Sequence, residues 1–261
     1  MYRQFETNTH LSGRRLTLIR GGWITLALLS LGLFSLGVPG RYSLLLTVCP
    51  EVACPELRLS AADVVVLRQV GLAVDLYAAY FITLEVAFGL AFAAAGAVLF
   101  WRRSDDWMVV FVSLTLVTFG LSLPPPMVAL AATQPAWGMP VLFVKALGVG
   151  FFFALFYIFP DGRFVPRWTR IPVVLWIAFS LIWLFFPVDN PLTWPESLAP
   201  VLFLGGWFGM SIVAQIYRYV RVSGPVQRQQ TKWIAYGVTA PGLGGLIAFV
   251  VLPWLSGPGL S

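Results

Sequence analysis

Long apolar runs alternate with short polar or charged segments along almost the whole chain. A helix that spans a bilayer needs roughly 20 mostly apolar residues, because its backbone amides must be hydrogen-bonded internally where no water is available. The runs of this kind cover about residues 20–38, 76–100, 107–123, 139–159, 171–188, 200–217 and 232–254. The pattern predicts an all-α fold, a polytopic transmembrane bundle of about seven helices within residues 20–255.

Composition supports the same interpretation. The 261 residues are 59% hydrophobic and 11% charged, whereas soluble domains carry about 25% charged residues. This number of polar side chains is too small to cover a water-facing surface. A soluble fold is therefore excluded, and membrane lipid is the expected surrounding and partner.

Basic residues are concentrated in alternate connecting segments. Thirteen of the 17 Lys and Arg residues lie in 1–20, 101–106, 160–170 and 218–232. Because Lys and Arg accumulate in cytoplasmic loops, residues 1–19 are expected to form a cytoplasmic tail of a plasma-membrane protein. Seven crossings would then put residues 256–261 on the extracytoplasmic side. The clusters follow topology and do not line one polar face, so nucleic acid is not an expected partner.

The long segment 39–75 is expected to be an extracytoplasmic loop. It contains Cys49 and Cys54, which are either a disulfide in an oxidising compartment or two free thiols. Ser60 and Asp63 have the spacing of a capping box and predict a short helix. That helix would lie on the membrane face, cover the mouth of the bundle, or simply extend the second run.

Prolines and glycines mark further positions along the runs. Three prolines at 124–126 are predicted to end the third run, and Pro241 is predicted to kink the seventh. Gly205 and Gly209 form a G-x-x-x-G pattern, which is either a dimer contact or a chance match.

Chemistry-bearing residues are scarce. His10 is the sole histidine, and the sequence has no phosphate-binding loop or dinucleotide turn. We therefore expect no catalytic site, no cofactor and no metal. Glu85 and Lys145 lie inside apolar runs and form a candidate intramembrane ion pair. Asp75 is a competing acidic partner for Lys145. The alternatives are a Lys145 side chain that reaches the outer interface, or a ligand or ion site.

Three segments carry a family resemblance: FWRRSDDWMVVFVSLTLVTFG at 100–120, FPDGRFVPRWTR at 159–170 and QIYRYVRVSGPVQRQQTKW at 215–233. They resemble the amino-terminal multi-span sensor region of bacterial sensor histidine kinases and related membrane proteins. The resemblance implies a sensory input module that works as a homodimer and passes a conformational change to a cytoplasmic kinase domain or partner.

The resemblance also points to candidate signalling residues in two loops. They are Pro160, Asp161, Gly162, Arg163, Arg228, Gln229, Gln230, Lys232 and Trp233. For the basic members, plain charge anchoring at the membrane is the alternative. No phospho-acceptor histidine segment or ATP-binding domain follows the seventh run. The chain would then stop before a further helix or be a free-standing relative.

The expected function is thus a non-catalytic, multi-pass membrane sensor. The first alternative is a non-signalling subunit of a larger membrane complex, and a small-molecule transporter comes third.

Overall fold

The fold of the described residues is helical, with no β-strand among them. A computed structural model describes residues 10–49, 57–160, 162–186, 199–222, 229 and 232. The helices are α1 (Gly13–Leu46), α2 (Ala61–Gln69), α3 (Val74–Arg103), α4 (Trp107–Ser122), α5 (Pro126–Thr133), α6 (Gly138–Ile158), α7 (Arg170–Phe185) and α8 (Ala199–Arg221). Single turns of 3₁₀ helix at Pro135–Trp137 and Arg167–Thr169 precede α6 and α7.

Helix length and composition identify the candidate membrane spans. In the described part, α1, α3 and the continuous helix Pro135–Ile158 are long and apolar enough to cross a bilayer. Helices α4 and α5 qualify together as a fourth candidate, bent by 56°. The all-α fold is therefore confirmed, with three or four candidate membrane spans. A bundle of seven helices is not confirmed, because eight helices are described. The seventh apolar run, which contains Pro241, lies almost wholly outside the described residues.

Helix α1 is longer than the sequence pattern predicts. It has 34 residues and continues through Pro39 to Leu46, so the loop predicted at 39–75 begins at residue 47. Proline removes one helical hydrogen bond, but membrane helices tolerate it where neighbouring elements support the backbone. Helix α5 packs closely on α1 beside this proline, because a Cβ on Gly37 would collide with the main chain of Pro126.

The three prolines lie at the junction between α4 and a second, short apolar helix, α5. Helix α4 ends at Ser122 as predicted, but Pro126 is the first residue of α5. Proline suits that position, because the first amides of a helix have no helical acceptor. Met127 and Leu130 of α5 are almost fully buried, so the bend directs a short apolar helix into the bundle.

The main core lies where α1, α4, α5 and α6 meet. Its buried members are Leu33, Phe34, Val117, Leu121, Met127, Leu130, Val141 and Val144. Helix α3 approaches α4 closely at Gly96, whose carbonyl accepts a 2.6 Å hydrogen bond from Ser113 Oγ. Small residues at such contacts are typical of membrane helices, which associate mainly by close packing.

The bundle has two distinct ends. At one end, Leu11 N donates to Asp105 O at 2.6 Å, and Gly162 packs against the ring of Trp107. The start of α1, the α3–α4 turn and the α6–α7 turn therefore meet there, and we call this the basic end. The opposite end carries residues 47–49 and 57–73, and we call it the loop end.

Candidate functional site

Two buried arginines tie the connecting segments to the bundle, one at each end. At the loop end, Arg41 of α1 forms an ion pair with Glu85 of α3, with 3.1 Å between Nη2 and Oε1. Arg41 Nε also donates to Oε1 at 3.2 Å, and the two side chains are only 9% and 11% exposed. The planar guanidinium suits such multiple contacts with one carboxylate.

Arg41 also holds the segment that follows α1. Its Nη1 donates to the carbonyl oxygen of Leu57 at 2.9 Å. Arg41, Glu85 and the Leu57 carbonyl therefore join α1, α3 and the loop, and we call this set the loop-end clamp.

The ion pair corrects the pairing predicted from sequence. Glu85 binds Arg41, and Lys145 forms no ion pair with any described residue. Lys145 lies half-buried on α6. The prediction was wrong because it ended the first helix near residue 38 and left Arg41 in a loop. Treating Pro39 as a tolerated proline would have extended the helix over Arg41 and supplied a nearer partner.

The loop around Cys49 is held by main-chain contacts. Cys49 N donates to Leu59 O at 2.9 Å, and Cys49 is disulfide-bonded. Cys54 lies outside the described residues.

Helix α2 begins with the capping box that the sequence indicated. Ser60 Oγ accepts from Asp63 N at 3.1 Å, and Asp63 Oδ2 accepts from Ser60 N at 2.9 Å. The hydrogen bond from the Ser60 hydroxyl, followed by that from the Ser60 amide, lowers the pKa of Asp63. Gly71, with φ of +74°, separates α2 from α3. Helix α2 is thus a separate element and does not simply extend the second run.

At the basic end, Arg218 of α8 binds the last turn of α6. Its side chain is buried, and Nη1 donates to Ile158 O at 3.0 Å and to Phe159 O. Nη2 donates to the carbonyl oxygen of Arg163. The last carbonyl groups of a helix lack helical donors and carry partial negative charge. A guanidinium there supplies both the hydrogen-bond donors and the positive charge.

Gln215 supports the same contact from one turn earlier in α8. Its Nε2 donates to the carbonyl oxygens of Phe156 and Phe159, the latter at 3.3 Å. Arg218 and Gln215, together with the carbonyl groups that they bind, form what we call the basic-end clamp; the carbonyl groups belong to Phe156, Ile158, Phe159 and Arg163.

Gly162 and Arg163 of the FPDGR turn contribute backbone groups. Gly162 has φ of +73°, which only glycine adopts readily, and its N donates to Ile158 O at 2.7 Å. The Arg163 side chain is exposed while its carbonyl binds Arg218. Pro160 lies in the turn, and Asp161 is outside the described residues. Arg218 was not among the predicted site residues, although its position near the end of an apolar run was a usable signal.

An aromatic cluster fixes α8 beside the clamp. Tyr157 Oη donates to Trp207 O at 3.1 Å, and the rings of Trp176 and Trp207 lie 5.5 Å apart. Phe153 packs on Trp176 at 4.8 Å. Helices α6, α7 and α8 are therefore joined next to the clamp.

The remaining predicted residues are two glycines of α8 and five residues that follow α8 in the sequence. Gln229 and Lys232 are helical and exposed, whereas Arg228, Gln230 and Trp233 are outside the described residues. A Cβ on Gly205 or Gly209 would meet no atom within 4 Å. Their role as a dimer contact stays a prediction.

Comparisons with known proteins give no family. No protein-family model, no curated protein and no solved structure matches the chain. Among the described residues, no group of three His, Cys, Asp or Glu side chains could hold a metal ion. The geometry of the two clamps is therefore the basis for a functional proposal.

Proposed function

We propose that the chain is a non-catalytic, multi-pass sensor module that relays a stimulus through the membrane to a cytoplasmic histidine kinase domain or partner. The observation that carries this proposal is the basic-end clamp. Through it, a shift of α8 along α6 would displace the FPDGR turn, because Arg218 and Gln215 hold the turn by its carbonyl groups. Helix α8 leads along the chain into QRQQTKW, the end of the third segment that carries the resemblance.

The proposed topology has seven spans, a cytoplasmic amino terminus and a plasma-membrane location. It is supported by the basic end, which gathers the start of α1, the α3–α4 turn and the α6–α7 turn. These segments are rich in arginine, and such segments remain in the cytoplasm. Reporter tags at residues 104 and 165 are expected to report from the cytoplasm. Tags that report from the cell exterior would overturn the orientation.

The relay is tested in cells that contain the chain in its membrane. A photo-crosslinking amino acid at the exposed Gln229 or Lys232 is expected to capture a kinase that becomes labelled on histidine when the membranes receive radiolabelled ATP. Arg218→Lys is then expected to change that labelling, because an ammonium cannot bind the separate carbonyls as the planar fork does. Arg221→Lys is the matched control, since Arg221 lies one turn further along α8 and is exposed.

Two outcomes would contradict the proposal. The first is histidine labelling that Arg218→Lys leaves unchanged while insertion and abundance are normal. The second is crosslinking confined to other integral membrane proteins, which would favour a non-signalling subunit of a larger complex.

A homodimer is part of the proposal. Gly205 and Gly209 are exposed on α8, and a small-residue face allows two helices to approach closely. Cysteines placed at 205 and 209 in separate variants are expected to form disulfide-linked dimers in membranes. Met210→Cys serves as the comparison, because Met210 is exposed but lies about 100° around the helix from Gly209. Equal crosslinking at all three positions would contradict a specific contact.

A further inference from the structure

An elongated apolar groove runs between α4, α6 and α7. It has a volume of about 340 Å³ and is lined by residues that include Phe111, Phe143, Ala146 and Ile177. This volume lies within the range of about 300–1,000 Å³ that is usual for small-molecule sites. Phe143 and Ile177 are 42% and 54% exposed, so the groove opens sideways toward the lipid.

The groove extends to the basic end of the bundle. Its lining reaches from Phe143 of α6 to Ile158, and on to Gly162 and Phe164 in the following turn. At 1.5 Å per residue, the distance from Phe143 to Ile158 is roughly 22 Å, most of the hydrocarbon thickness of about 30 Å. A long, narrow, apolar space of this kind fits a hydrocarbon chain that lies parallel to the helices.

Positive charge lies at the basic end of this groove. The guanidinium of Arg170 is 5.9 Å from the ring centroid of Phe164, one of the lining residues. Arg163 and Arg167 are exposed in the same turn. Residues 160–170 hold these three arginines and one aspartate in sequence. The mouth of the groove therefore attracts an anion.

A second cavity offers a contrast. It has about 450 Å³ between α1, α3 and α4, and its lining includes Trp23, Leu90 and Val117 but no residue of a connecting turn. Trp23 also stacks on Phe100 at 3.9 Å near the basic end. Of these two cavities, the groove between α4, α6 and α7 is the one that combines an apolar length with residues of a basic turn.

We propose that this groove binds one anionic membrane phospholipid. An acyl chain lies along α4, α6 and α7, and the phosphate contacts Arg170 at the basic end. The ligand must be amphiphilic, because the apolar groove fits a hydrocarbon chain and the arginines attract an anionic headgroup. This inference rests on the membrane setting of the bundle and holds whether or not the chain signals.

The test measures lipid retained by the full chain in native mass spectrometry, with phosphatidylglycerol and phosphatidylcholine of identical chains as the two probes. One phosphatidylglycerol molecule is expected to be retained in preference to phosphatidylcholine. Arg170→Gln is expected to weaken phosphatidylglycerol retention about fivefold, which is the effect of removing one basic contact with an anionic lipid. It should leave phosphatidylcholine unchanged.

Two further variants separate the tail site from general charge attraction. Ala146→Phe fills the groove and is expected to lower retention of both lipids while the thermal unfolding temperature is maintained. Arg102→Gln removes an exposed arginine of the α3 end that does not line the groove, and should change neither lipid. Equal retention of the two lipids by the unaltered chain, or an equal loss in Arg102→Gln and Arg170→Gln, would overturn the proposal.

Discussion

Arg41 and Arg218 are both buried, yet they are bound in different ways. Arg41 pairs with a carboxylate, so its charge is balanced by a side chain on a neighbouring helix. Arg218 donates to carbonyl groups at the end of α6 and in the turn that follows. The first contact joins two helices by opposite charges, whereas the second holds a backbone turn in place.

Because of this difference, substitutions at Arg41 and at Arg218 are expected to have different consequences. A charge pair can be replaced by two apolar side chains, because packing can substitute for charge once neither ion is left alone. Main-chain carbonyl groups stay in place whichever side chain is substituted. The loss of Arg218 as their donor therefore cannot be compensated by a second substitution. We therefore expect the loop-end clamp to govern mainly stability and the basic-end clamp to govern mainly the position of the FPDGR turn.

The largest effect is expected when one partner of the loop-end clamp is removed. Glu85→Met leaves the Arg41 charge buried without its carboxylate, and the loss of unfolding free energy should be about 3–5 kcal/mol. The double variant Arg41→Met with Glu85→Met should recover the part of that loss that comes from the unpaired charge, but not the hydrogen bond of Arg41 to the Leu57 carbonyl. Denaturant unfolding in detergent micelles measures all three chains.

Lys145 provides the control for that pair. Because Lys145 forms no ion pair with described residues, the coupling energy between Lys145→Met and Glu85→Met should be below about 0.5 kcal/mol. A strong coupling with Lys145 and a weak one with Arg41 would reverse the assignment.

The next effect compares two glycines of nearly equal φ, one at each end of the bundle. Gly162 and Gly71 have φ of +73° and +74°, but an added Cβ meets Trp107 at Gly162 and nothing within 4 Å at Gly71. Gly71→Ala should lose about 1–2 kcal/mol through backbone strain alone. Gly162→Ala should lose about 1–3 kcal/mol more, because Trp107 must move. Equal losses in the two unfolding curves would show that the Trp107 contact is unimportant.

Most helices were predictable from sequence because their apolar length is set by the bilayer. Helices α3, α6 and α8 begin and end within four residues of the runs expected at 76–100, 139–159 and 200–217. The end of α1 was not predictable in this way. Proline and glycine at 37–40 indicate a break locally, whereas the close packing of α5 against Gly37 is a tertiary contact that local sequence does not reveal.

The clamps were less accessible to sequence reasoning than the helices. The pairing of Arg41 with Glu85 depends on the true end of α1, so one wrong boundary gave the wrong partner. The basic-end clamp depends on main-chain carbonyl groups, which no residue type marks. The capping box at Ser60 and Asp63 was predictable, because its contacts are local and follow from spacing.

A smaller effect is expected at the basic-end clamp itself. Arg218→Lys should lower the unfolding free energy by about 1.5–3 kcal/mol, the usual contribution of hydrogen bonds to a charged group. Because these bonds hold the turn, proteolysis after Arg163 should also become faster. Arg221→Lys is the control and should alter neither property. A stable turn in Arg218→Lys would mean that the remaining contacts hold it without the guanidinium.

The smallest effect is expected at the capping box of α2. Its hydrogen bonds lower the pKa of Asp63, so the folded state binds this proton more weakly than the unfolded state does. The stabilisation is therefore complete above the unfolded-state pKa and is lost as pH falls through the lower folded-state pKa. A spin label at Val66, which is exposed on α2, should become more mobile only on acidification.

Asp63→Ala separates this local effect from acid unfolding of the whole chain. It should weaken the cap by about 1 kcal/mol at neutral pH and remove the change in label mobility on acidification. A second label on α6, at the exposed Met139, should show no transition over the same range. If the Val66 label mobilised equally in both chains, the acid transition would belong to another group, and the loop end would owe its order to Arg41 and Cys49 more than to the cap.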